Sequence, residues 1–136
     1  MIYQTEFSFA TSGRGLYEIS EKVEQIIPHK ASGLVQLFLQ HTSASLIITE
    51  NADPTVLEDL ETIITRLAPD GDSAYQHDYE GPDDMAAHVR AVLTCNDLSI
   101  PVVEGKLALG AWQGVFLWEH RYRAHMRNMI VTVLGR

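Results

Sequence analysis

The chain has 136 residues, with 18 acidic against 10 basic side chains and a formal net charge of −8. That length fits one domain, residues 1–136, and excludes an eight-fold β/α barrel, which takes roughly 250 residues. The acidic balance argues against a nucleic-acid partner, which requires a basic stripe, and the single cysteine, Cys95, excludes an internal disulfide or a multi-cysteine zinc site.

Residues 3–9 alternate with Tyr3, Thr5, Phe7 and Phe9 on one side, which predicts a strand. Gly13 and Gly15 break it. Ile19, Val23, Ile26 and Ile27 then recur at helical spacing until Pro28. Residues 34–40 and 46–49 are short apolar runs and predict two strands around His41-Thr42-Ser43-Ala44-Ser45. Asp53-Pro54 opens a second helix, since Asp53 caps free amides and Pro54 is pre-set for the first helical position. Its apolar face runs from Val56 to Leu67, and Pro69-Asp70-Gly71 closes it. Residues 70–82 predict a polar, ordered loop. A third helix starts near Pro82, with Met85, Val89, Val92 and Leu93 expected to face inward. Strands are expected at 98–103, 106–110, 113–121 and 128–134. The order β-α-β-β-α-α-β-β-β-β predicts an α+β fold with a mainly antiparallel sheet and about three helices.

No segment has the ~20 apolar residues of a membrane span, and the first residues lack a signal-peptide pattern, so a cytoplasmic location is expected with no membrane partner. Residues 50–84 hold eleven acidic residues and one base, Arg66, whereas Arg121, Arg123, Arg127 and Arg136 gather in or near the last strand. Such a cluster on an acidic protein suits a small anionic ligand; solvated strand charges are the bland alternative.

Several residues have side chains fit for chemistry. His41 ends an apolar strand, and Thr42, Ser43 and Ser45 offer hydroxyls suited to phosphate oxygens. Asp84 and His88 lie four apart and share one helix face, where they can ligate a divalent cation, or the carboxylate can orient the ring. His77 arrives from the preceding loop, so His41, His77 and His88 with a carboxylate make a zinc-type ligand set. Asp84 in a first helical turn also simply complements the helix dipole. Trp112 either fills the core or joins a site, and Gln113 beside it is suited to orienting a polar ligand. Glu119 is a ligand, a base, or the partner of Arg127 in a cross-strand ion pair. Cys95 is expected to be inert packing.

Together QHTSAS (40–45), ENADPTV (50–56), HDYEGPDDM with a further His (77–88), the stretch LxxPVxxGKLxLGxWQG (98–114) and EHR (119–121) resemble the YjbQ-like family, whose members are often labelled secondary thiamine-phosphate synthases. The resemblance spans nearly the whole chain. It implies a compact α+β domain that forms a homotrimer with sites near subunit interfaces. It also implies a shared site of His41, His88, Trp112, Gln113 and Glu119, with Asn51 and Arg127 as neighbours. The implied reaction joins hydroxymethylpyrimidine diphosphate to a thiazole phosphate and releases pyrophosphate, helped by a divalent cation, zinc or magnesium. In that scheme Arg127, Thr42 and Ser43 hold phosphate, while His41 and His88 hold the cation or move a proton. A metal-dependent hydrolase of a small phosphorylated metabolite and a non-catalytic trimeric binder are the alternatives. The chain departs from the family pattern at Cys95, Asp97, Ala111 and Asn128.

Overall fold

The computed structural model describes residues 1–136. It contains eleven elements: β1 (Ile2–Ala10), β2 (Gly15–Glu18), α1 (Ser20–Ile26), β3 (Gly33–Leu39), β4 (Ala44–Glu50), α2 (Pro54–Leu67), α3 (Asp84–Leu93), β5 (Asp97–Val103), β6 (Lys106–Leu107), β7 (Gln113–Glu119) and β8 (Met126–Gly135). The α+β expectation with three helices therefore holds, with one strand more than the sequence predicts.

The strands form two antiparallel sheets, β1-β8-β3-β5-β6 and β2-β7-β4. Val35, Leu37 and Leu39 of β3, and Met129, Val131 and Val133 of β8, turn one face of the larger sheet into the core. Val115 and Leu117 of β7 meet them from the smaller sheet, and Val23 of α1 closes the side. Strand β7 is buried on both faces from Gly114 onward. Its odd residues face the other sheet. On its even face Trp118 Nε1 donates to Glu61 Oε2 of α2 at 2.9 Å. The smaller sheet thus lies between the larger sheet and the helix layer.

Asp53 caps α2 as expected: its Oδ1 accepts from the Thr55 amide at 2.9 Å, with Pro54 leading the helix. The expected inward face of α3 is corrected. Val92 is 83% exposed and Leu93 55%, while Asp84, Ala86, Ala87 and Arg90 are buried. A polar network draws that side of the helix in. Arg90 lies inside, where its Nε donates to the Ala68 carbonyl that ends α2, at 3.4 Å. Cys95 is also not packed inside: it is exposed and follows α3, where its carbonyl accepts from the Leu46 amide at 2.7 Å.

Candidate metal centre

The ends of β7 divide the expected site residues. Register pairs Glu119 with Ala44 at one end and Gln113 with Glu50 at the other. Six residue steps at about 3.3 Å separate those ends by about 20 Å. Asn51, Trp112 and Gln113 sit at the far end. There Asn51 Nδ2 donates to the Gln113 carbonyl, and Gln113 Oε1 accepts from its own turn at the Gly110 amide, 2.8 Å away. Trp112 is 67% exposed, so it does not fill the core. Within one chain these three residues do not meet the histidines.

At the near end, His77, Asp84 and His88 bring their ligand atoms within 4.8 Å of one another. His77 Nε2 donates to Asp84 Oδ2 at 2.6 Å, a proton that a cation would have to displace, and His88 Nε2 lies 3.4 Å from the same oxygen. Ligand atoms about 2.0–2.2 Å from a tetrahedral ion stand roughly 3.4 Å apart, which the His88–Asp84 spacing matches, while the His77–Asp84 contact would have to open. The placement follows from local structure: His88 lies one turn after Asp84 on α3, and the 70–82 loop carries His77 back over them.

Orientation matters more than proximity here. His88 Nδ1 is 2.9 Å from the Thr42 carbonyl oxygen, which can only accept, so Nδ1 holds the proton of the neutral ring. The lone pair on Nε2 then faces the Asp84 carboxylate. Either a proton on Nε2, which makes the contact an ion pair, or a cation between the two atoms satisfies both at 3.4 Å, and backbone-oriented imidazoles of this kind are common metal ligands. The second oxygen of Asp84 accepts from Arg121 Nη1 at 2.7 Å, and Arg121 Nε donates to Asp83 Oδ2 at 3.0 Å. Burial pushes Asp84 upward, but its bond with His77 and the Arg121 charge outweigh that and hold its carboxyl below the usual range. It is therefore ionised and fit to ligate near neutral pH.

His41 stands outside this group. Its Nε2 accepts from the Asn128 amide at 2.8 Å, and its Nδ1 faces Arg127 Nη1 at 3.4 Å. The Asn128 amide takes the one lone pair of the neutral ring, whose proton then sits on Nδ1, so no lone pair is left for a metal and the expected ligand role is corrected. His41 and His88 do line one cleft of about 370 Å³, with Thr42, Thr94 and Asn96.

Glu119 and Arg127 are also reassigned. Glu119 is fully buried, and Arg127 Nε donates to its Oε1 at 2.7 Å while Nη2 pairs with Oε2. Thr11 Oγ1 and the Arg121 amide add bonds at 2.7 and 3.1 Å. Burial raises the Glu119 carboxyl, yet these bonds and the Arg127 charge bring it below its ordinary value. A carboxylate so fully bonded has no free lone pair for base work, and the cross-strand ion pair is the reading that holds. Arg127 Nη2 also donates to Ser43 Oγ at 3.0 Å, so Ser43 is drawn into this buried cluster, while Thr42 stays exposed at the cleft. Sequence reasoning missed Arg121 as the group that holds Asp84; its place just after β7, across from an acidic helix start, was the available signal.

The family model described as UPF0047 protein YjbQ-like matches residues 5–136, and the chain belongs to that family. It is 48% identical to the UPF0047 protein sll1880 of Synechocystis over 98% of this chain and 92% of that protein. It is 40% identical to the UPF0047 protein YjbQ of Escherichia coli O157:H7 over 99% of each. Among solved structures, the conserved hypothetical protein TT1486 from Thermus thermophilus matches with a TM-score of 0.88 at 35% identity, covering 96% of this chain and 99% of that one.

Proposed function

We propose that the chain is a metal-assisted enzyme acting on a small phosphorylated compound, with a divalent cation held by His77, Asp84 and His88. The observation that carries this reading is the fixed His88 ring, whose Nε2 lone pair is set against the Asp84 carboxylate. Two imidazoles and one carboxylate favour zinc over magnesium, which prefers oxygen ligands and its own waters. When bound, the cation would supply Lewis acidity to a phosphoryl oxygen. The chain's own part is positional: the Thr42 carbonyl sets the His88 ring, and Arg121 holds the second Asp84 oxygen away from the ligand face. The motif resemblance favours the condensation of hydroxymethylpyrimidine diphosphate with thiazole phosphate, in which the departing pyrophosphate carries the charge such a centre neutralises.

Metal analysis of tag-free protein should find bound metal that is lost in His77→Ala and His88→Ala and kept in His41→Phe. His88→Ala should also lower turnover by ~10²-fold or more. Pyrophosphate release from the two thiamine precursors supports the condensation, and release of inorganic phosphate from phosphoesters moves the activity to hydrolysis. Metal binding without either leaves a binding protein and overturns the enzyme reading.

We also infer a homotrimer. The shared site that the resemblance implies joins Trp112 and Gln113 to the histidines, and with about 20 Å between the two ends of β7 a neighbouring copy would supply the Trp112 end. The exposed Trp112, Val92 and Leu93 supply apolar contact surface for it. Light scattering should give about 45 kDa, three times 15.2 kDa. A concentration-independent species at 15.2 kDa would contradict it.

A further inference from the structure

His41 sits in an unusual hydrogen-bonding position. The Asn128 backbone N–H points at its Nε2 from 2.8 Å, so that nitrogen must accept, and a neutral ring then carries its proton on Nδ1. Yet Nδ1 faces Arg127 Nη1 at 3.4 Å, and Arg127 has only N–H groups. Donor therefore faces donor. The rest of the guanidinium is committed, Nε to Glu119 and Nη2 to Glu119 and Ser43, while Nη1 has no acceptor. The side chain is 3% exposed and cannot turn away to water, because the Glu119 pair fixes it. Two such donors 3.4 Å apart can both reach one oxygen placed about 2.8 Å from each.

We propose that His41 Nδ1–H and Arg127 Nη1–H form a two-donor subsite for one phosphoryl oxygen of the substrate; the choice of phosphoryl rests on the function proposed above. The cleft that His41 lines is also lined by His88, whose ring is held by the carbonyl of Thr42, the residue after His41. A phosphoryl group held there would lie in the cleft that the His88 ring also lines. His41 is thus a binding residue with a fixed tautomer. Arg127 takes part through its single free nitrogen, without leaving its ion pair.

The test uses full-length protein labelled with 15N-histidine and inorganic phosphate as the probe. The ring nitrogens of His41 should report a protonated Nδ1. Phosphate should move them saturably while leaving those of the exposed His29 in place. His41→Phe should weaken phosphate binding by about tenfold, the scale of one charge-assisted hydrogen bond, and keep its metal. A protonated Nε2, ring signals that ignore phosphate, or unchanged phosphate affinity in His41→Phe would each overturn the subsite. The tautomer and the titration are read on the wild-type chain, so they decide the matter even if the variant misfolds. A phosphate response that disappears when metal is stripped, and does not depend on His41, would place the anion on the cation alone. Wild-type protein that binds phosphate at His41 but never holds metal would sink the metal reading and leave the subsite standing.

Discussion

Arg127→Ala is expected to cost about 3–5 kcal/mol of stability, the usual penalty for leaving a buried charge without its partner. Glu119 would keep its bonds to Thr11 and the Arg121 amide but lose both guanidinium contacts, with no exposure to water. The damage reaches beyond one pair, because Glu119 lies on β7 and Arg127 on β8, in different sheets. Chemical denaturation with a matched slope measures the loss. The double variant Arg127→Met/Glu119→Leu should recover much of it, since an apolar pair of similar volume often replaces a buried ion pair without loss. Glu119 gives the same interaction a pH signature. Its folded value lies below the ordinary 4.5, so its contribution is present above that pH and is lost as pH falls through the folded value. An Arg127→Ala protein as stable as wild type would show that the pair does not hold the sheets together.

His120 should make the protein acid-sensitive well above the carboxylate range. It is fully buried, its Nε2 lies 2.9 Å from Ser45 Oγ, and its Nδ1 has no partner. Burial, followed by the charges of Arg90, Arg14 and Arg127, lowers its pKa from 6.5 to about 3. Between those values the unfolded chain binds a proton that the folded one refuses. Stability therefore falls with pH by about 1.4 kcal/mol per unit, beginning near 6.5. Denaturation at about pH 7, 6 and 5 isolates this group from Glu119 and the aspartates, which act lower. Chelator in every sample removes any contribution from metal release. His120→Asn, which keeps a polar contact to Ser45, should flatten the slope by about that amount. Parallel slopes in the two proteins would mean that His120 takes up a proton in the folded state.

Much of the scaffold was legible because its signals are local. The alternation in β1, the apolar run of β3 and the Asp53-Pro54 helix start each reflect physics that acts within a few residues. Strand β2 was not, since Gly-Leu-Tyr-Glu has no alternation and takes its structure from β7, a partner about a hundred residues away. The orientation of α3 was misjudged for a related reason. Apolar periodicity assumes a dry neighbour, but this helix meets the carbonyl end of α2 and the Arg121 guanidinium, so Arg90 and Asp84 face inward while Val92 and Leu93 stay out. In the site, the helical spacing of Asp84 and His88 was sufficient to place them together. His41 was grouped with them because spacing carries no information about hydrogen-bond direction: the Asn128 amide that occupies its ring comes from a strand 87 residues on.

The three groups of the proposed centre come from a stretch of twelve residues, His77 to His88, whereas the groups that orient them, Thr42 and Arg121, arrive from distant parts of the chain. Closing so short a loop costs little conformational entropy. Capture of an ion by the proposed centre would then be a local event that can precede completion of the two sheets during folding. Reactivity is not local, since the ring angle and the carboxylate charge depend on contacts that only the finished sheets supply. If the proposed centre binds metal, mutations that loosen the sheets should leave binding at the twelve-residue stretch while lowering any activity that depends on it.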